Sequence, residues 1–130
     1  VHDRLGAHTP SINKKRFDLG SGYKGEKTMT KEEASMIGFE IVAYSGDARS
    51  KLLLAVENAK TGNFDKCDQL IEEANACLVD AHKSQTELLQ QEARGNHVEV
   101  GFITVHAQDH LMTTLLLKDI ISTLIDVYKK

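Results

Sequence analysis

Two cysteines, one proline and no long apolar run are the sparest features of this 130-residue sequence, and each shortage excludes something. Cys67 and Cys77 fall within one helical pattern and have no further cysteine to pair with. No disulfide is expected, and both read as reduced thiols of a cytoplasmic protein. No apolar stretch approaches the roughly 18 residues that suggest a membrane span. Nor is a basic start followed by an apolar segment, so no secretory signal is visible. Basic residues are short too: 16 Lys and Arg against 19 Asp and Glu give a net charge of −3. With no basic face evident, nucleic acid is not the expected partner. Sustained strand alternation is also missing, so no sheet is expected. What is present is an ordinary soluble composition, 27% charged and 41% apolar, in a chain long enough for one domain with an adequate core.

The single proline, Pro10, lies in residues 1–28, a glycine-containing stretch with a basic patch at Lys14-Lys15-Arg16 and no sustained periodicity. Gly20-Ser21-Gly22-Tyr23-Lys24-Gly25 spells G-x-G-x-x-G, and Gly20 to Thr28 resembles a phosphate loop with Glu26 inserted before the lysine. Neither has the preceding strand and directly following helix that nucleotide binding requires. Residues 1–28 are read as a flexible leader or an added segment, and residues 29–130, opening on Met29, as the folded domain.

Thr30-Lys31-Glu32-Glu33 is a capping box that starts a first helix carrying Ile37, Ile41, Tyr44, Ala48, Leu52 and Ala55 at helical spacing. Ser45-Gly46 marks a bend or a close approach in its middle. Gly62 ends it, and Asn63 is placed to cap a second helix whose apolar row includes Leu70, Ala74, Cys77, Leu78, Ala81, Leu88 and Leu89. Gly95 closes the second, and the third runs from about Val98 to Tyr128, with Val98 to Phe102 as a frayed start. Short loops between helices of this length make neighbours antiparallel. The expected fold is all-α, an antiparallel up-down-up three-helix bundle. The third helix is apolar on more than one face, which predicts self-association through it.

Within that third helix the spacing puts His106, His110, Thr113, Leu117, Ile120, Leu124 and Val127 on one stripe, read as core-facing. Asp109 shares a neighbouring row with Phe102, Val105, Met112 and Leu116. Polar groups there cost stability unless satisfied, so the cluster needs a reason. One reading is a pair of satisfied core or interface histidines. A second is a divalent-metal-binding helical protein or metalloenzyme using His-x-x-Asp-His, one residue type away from the zinc motif H-x-x-E-H, with His82 as the third ligand. The third is nucleophilic catalysis, in which a neutral imidazole attacks phosphorus and holds the phosphoryl group. Gln108, His110, Thr113 and Thr114 are donors of the kind the phosphoryl oxygens need, whereas Asp109 must point away or be neutralised.

From Met29 to Lys130 the chain resembles the lactose/cellobiose-specific enzyme IIA components of the bacterial sugar phosphotransferase system. The resemblance rests on the block Gly38-Phe39-Glu40-Ile41-Val42-Ala43-Tyr44-Ser45-Gly46-Asp47-Ala48-Arg49-Ser50-Lys51, on Glu73-Ala74, on Ala81-His82 with Gln85-Thr86, and most specifically on His106-Ala107-Gln108-Asp109-His110-Leu111-Met112-Thr113-Thr114. It implies a homotrimer forming a nine-helix bundle. It implies that His106 accepts phosphate from the phosphocarrier protein HPr and passes it to a cysteine of the IIB component, which serves the membrane IIC transporter. Gln108 and His110 would then support His106. It also implies that Asp109 points at the three-fold axis, where three copies hold one divalent cation, usually magnesium. No catalytic position of the family matches Cys67 or Cys77, while Asp47 and Arg49 are read as helix-surface pairs. The resemblance implies lactose, cellobiose or a related disaccharide as the sugar class, and that this component itself does not touch sugar.

Overall fold

The computed structural model describes residues 28–130, so the glycine motif and the expectation of a leader fall outside the described residues. The first helix, α1 (Lys31–Lys60), the second, α2 (Phe64–Ala93), and the third, α3 (Phe102–Tyr128), follow one another through short loops. They form the expected up-down-up bundle, in which α1 and α3 run the same way. No helix among the described residues is long and apolar enough to cross a membrane.

Local chemistry accounts for the boundaries. Thr30 is extended (φ −66°, ψ 161°), and its Oγ1 accepts from the Glu33 amide at 3.1 Å. The same hydroxyl donates to Glu33 Oε1 at 3.1 Å, so the glutamate closes the box on the hydroxyl. Gly62, at φ 77°, turns the chain out of α1 in a backbone conformation that costs a glycine little. Asn63 does not cap α2 with its side chain. Its amide reaches back to Asn58 Oδ1 at 3.4 Å, and the first-turn bond is instead made by its carbonyl, which accepts from the Cys67 amide at 3.2 Å.

The start of the third segment also departs from expectation. Val98 is no frayed helical turn: it pairs with Met29 in an isolated parallel bridge. Met29 donates to the His97 carbonyl at 2.7 Å, and its own carbonyl accepts from the Glu99 amide at 3.0 Å. Both backbone groups of Met29 are thereby used just ahead of α1.

The α1 side of the core follows a strict alternation of threes and fours. On α1 the buried row is Ala34, Gly38, Ile41, Ser45, Ala48, Leu52, Ala55 and Ala59. Most of these side chains are small, which lets α1 pack closely against both other helices, while α2 and α3 touch only sparingly. Gly38 marks a close approach: a β-carbon there would stand 3.3 Å from Ile103 Cγ2 of α3. The buried row of α3 is Thr104, Ala107, Leu111, Thr114, Leu115, Ile121 and Ile125. That is not the stripe the spacing selected. His106, Thr113, Ile120, Leu124 and Val127 are exposed, because the helix turns its alanine and leucine row inward to meet the small residues of α1. Tyr44 and Leu89 likewise lie outside the protomer's core.

Candidate functional site

In the second turn of α3 His106 stands exposed, and one turn further on His110 is half-buried. Four residues apart, they are neighbours on the helix surface, and their rings meet edge to face with centroids 4.5 Å apart and planes at 71°. Of the expected site residues these are the two that one protomer brings into contact. Gln108 lies on the opposite flank, where its Oε1 accepts from Gln85 Nε2 of α2, and the same Gln85 amide lies 3.9 Å from Met112 Sδ. It is therefore a link between α2 and α3 in the protomer. The two threonines are not free donors either. Thr113 Oγ1 donates to the Asp109 carbonyl at 2.8 Å and Thr114 Oγ1 to the His110 carbonyl at 2.7 Å, the usual back-bonding of helical hydroxyls.

Asp109 is exposed, and among the described residues nothing bonds its carboxylate. It is the one charge in an otherwise apolar, outward-facing stripe of Phe102, Val105, Met112 and Leu116. An unpaired oxygen ligand in that setting fits a hard divalent cation shared between copies of the chain. Within one protomer, however, no three His, Cys, Asp or Glu side chains among the described residues converge on a metal-sized point. His82 lines a separate groove of about 570 Å³ between α2 and α3, beside Leu115 and Lys118, and does not join His106 and His110. Among the described residues the three-ligand zinc reading finds no third ligand.

A second depression, of about 300 Å³, opens between α1 and α3 and is lined by Arg49, Asp109, His110, Thr113, Thr114 and Leu117. Arg49 is the residue sequence reasoning passed over. Asp47 makes the expected surface pair, accepting from Lys51 Nζ at 2.9 Å, but Arg49 joins no such pair among the described residues. A sequence signal existed: Asp47 is claimed by Lys51 at i+4, which leaves Arg49 as the unmatched cation of its turn.

The cysteines keep their structural reading. Cys67 donates to the Ala55 carbonyl at 3.0 Å, and Cys77 to Asp47 Oδ2 at 3.2 Å. Burial first, with neighbouring carboxylates adding to it, pushes both thiols up, so both stay protonated and unreactive at neutral pH.

Comparison with known proteins identifies the family. The sequence model of the family described as PTS system, lactose/cellobiose-specific IIA subunit matches residues 36–129. The lactose-specific EIIA component of Staphylococcus epidermidis is 58% identical over 102 residues, 78% of this chain and 98% of that one. The Streptococcus mutans lactose-specific EIIA component is 54% identical over the same shares. Among solved structures, the cellobiose-specific enzyme IIA from Bacillus anthracis superposes with a TM-score of 0.72 at 39% identity, covering 78% of this chain and 92% of that one. PtcA from S. mutans gives 0.75 at 41% identity, over 78% and 100%. Fold and sequence place the chain among the IIA components of sugar phosphotransferase systems. Within that class it belongs to the lactose/cellobiose-specific family.

Proposed function

We propose that His106 is the phosphoryl carrier of this chain, taking phosphate from HPr and handing it to a cysteine of the IIB component for uptake of lactose, cellobiose or a related disaccharide through the membrane IIC transporter. The observation that supports this is an exposed imidazole set edge-on against a second imidazole in the most family-like stretch of the sequence. One ring nitrogen of His106 attacks phosphorus while the donor's bond to phosphorus breaks. The other nitrogen keeps its hydrogen, so the ring becomes an imidazolium bearing the phosphoryl group, and no proton leaves during transfer. On delivery the N–P bond breaks as the sulfur of the acceptor bonds phosphorus, and His106 returns to neutral imidazole. His110 holds the His106 ring in its attacking orientation, and Gln108 offers an amide from the α2-facing side.

In our reading residues 29–130 are the functional unit, with 1–28 a leader outside it. The unit acts in the cytoplasm as a homotrimer built on the exposed stripe of α3, and Asp109 from each copy would hold one magnesium ion at the three-fold axis. When bound, that ion supplies the positive charge that lets three carboxylates meet.

The test is incubation with phosphoenolpyruvate, enzyme I and HPr, scored by intact mass at neutral to alkaline pH because phosphohistidine is acid-labile. The wild type gains one phosphate. His106→Gln stays folded and gains none, while His110→Gln gains it more slowly. A phosphate on His106→Gln, or none on His110→Gln, makes His110 the acceptor. A wild type that is never phosphorylated ends the proposal.

A further inference from the structure

The phosphoryl group delivered to His106 brings about two negative charges to a flank of α3 where Asp109 already places another. Some donor has to meet them. The threonine hydroxyls beside His110 are spent on backbone carbonyls, and Gln108, held by its oxygen to Gln85, offers a neutral amide from the α2-facing side and no charge. Of the residues lining the 300 Å³ cleft next to His110, the one permanent cation is Arg49. On the same helix the neighbouring lysines are committed, Lys51 to Asp47 at 2.9 Å and Lys60 to Glu57 at 3.0 Å, whereas Arg49 has no such partner among the described residues.

Orientation favours the same residue. Side chains on a helix lean toward its N-terminus, and α1 and α3 run in parallel. For Arg49, which lines the cleft with Thr113 and Thr114, that lean runs toward the end of α3 that carries His110 and His106. One turn further along that lean, Gly46 leaves open space: nothing lies within 4 Å of where its β-carbon would stand. Gly46 thus puts no side chain of its own on that turn of α1. A guanidinium is always charged, and its fork matches two phosphoryl oxygens at once.

We propose that Arg49 binds the phosphoryl oxygens of the phosphorylated His106 site from across the α1–α3 cleft, stabilising the phosphorylated state of the protein. This rests on the carrier reading above, and the experiment separates the two. The chain is phosphorylated from a limiting pool of phosphoenolpyruvate with enzyme I and excess HPr, and the partition of phosphate between HPr and this protein is read by intact mass at equilibrium. Arg49→Gln moves the partition toward HPr by about tenfold or more, the effect of losing a hydrogen-bonded charge. Arg49→Lys, which keeps the charge and loses the fork, falls between. Arg49 is exposed on α1, so helicity and light scattering should match wild type. An equilibrium partition is insensitive to a merely slower enzyme, so a shift at unchanged assembly is not a structural side effect.

A wild-type partition in both variants overturns the proposal, as does a wild-type partition in Arg49→Lys alone should Arg49→Gln not fold. An unmoved partition with lost magnesium binding in Arg49→Gln also overturns it and makes Arg49 the companion of Asp109. If the wild type itself takes no phosphate, the carrier reading has failed instead.

Discussion

At the scale of single residues, the charges of α1 sort by what they touch. Asp47 accepts from both Lys51 and Cys77, and the Lys51 ammonium first, then the thiol, hold its carboxyl below the usual carboxylate range. A depressed carboxyl contributes stability that is present above its ordinary titration range and lost as pH falls through its folded value. Because the pair is exposed, the contribution is small: Asp47→Asn should lower the melting temperature at pH 7 by no more than about 3 °C. The gap should close on acidification, when the aspartate becomes as neutral as the asparagine. A gap that widens in acid, followed by circular dichroism from pH 7 to pH 2, would contradict the sign. The pairing of Asp47 was legible from the i, i+4 spacing with Lys51. What Arg49 faces was not, because the cleft is formed by a helix more than 50 residues further along, and no local rule registers that.

At the scale of the helix, ends proved more readable than faces. Thr30, Gly62 and Gly95 act through bonds and angles within a few residues, so the capping pattern found the limits of α1 and α2. The inward face of α3 was not readable in the same way. Apolar residues occur on nearly every side of it, and three-four spacing fits rows on both sides equally well. The deciding information sits on α1, whose small residues admit the row of Ala107 and Leu111. Two glycines of α1 test that account. At Gly46 a methyl group meets open space, so Gly46→Ala should stabilise by up to about 1 kcal/mol through helix propensity alone. At Gly38 the same methyl would press on Ile103 Cγ2 at 3.3 Å. Gly38→Ala should come out near neutral, and Gly38→Val should cost about 1–3 kcal/mol by overpacking. Denaturant melts of the three variants check the order, and a Gly38→Val as stable as wild type would mean that α1 and α3 are not in close contact there.

At the scale of the whole molecule, the decisive feature is what a single copy of the chain leaves uncovered. Phe102 is 87% exposed, Leu116 62%, Val105 55% and Met112 54%, all on the stripe that carries Asp109. Soluble monomers rarely show a contiguous apolar surface of this kind. Covering these four side chains is worth on the order of 10 kcal/mol per protomer before the entropy of association is subtracted. Against that stands the cost of enclosing Asp109, several kcal/mol for each desolvated charge, which rises when identical carboxylates meet on a symmetry axis. The apolar term is the larger, so assembly should survive the aspartate, and a cation should reduce its cost. Asp109→Leu separates the two terms. It removes the carboxylates and extends the apolar stripe, so the variant should form the proposed trimer by light scattering, melt at or above the wild-type temperature, and retain no magnesium in equilibrium dialysis. It should also stop responding to EDTA, which should lower the melting temperature of the wild type. A variant that falls to monomers would show that the ion, and not the apolar stripe, holds the copies together. A wild type whose melting temperature ignores both EDTA and added magnesium would leave Asp109 as an exposed carboxylate and no more.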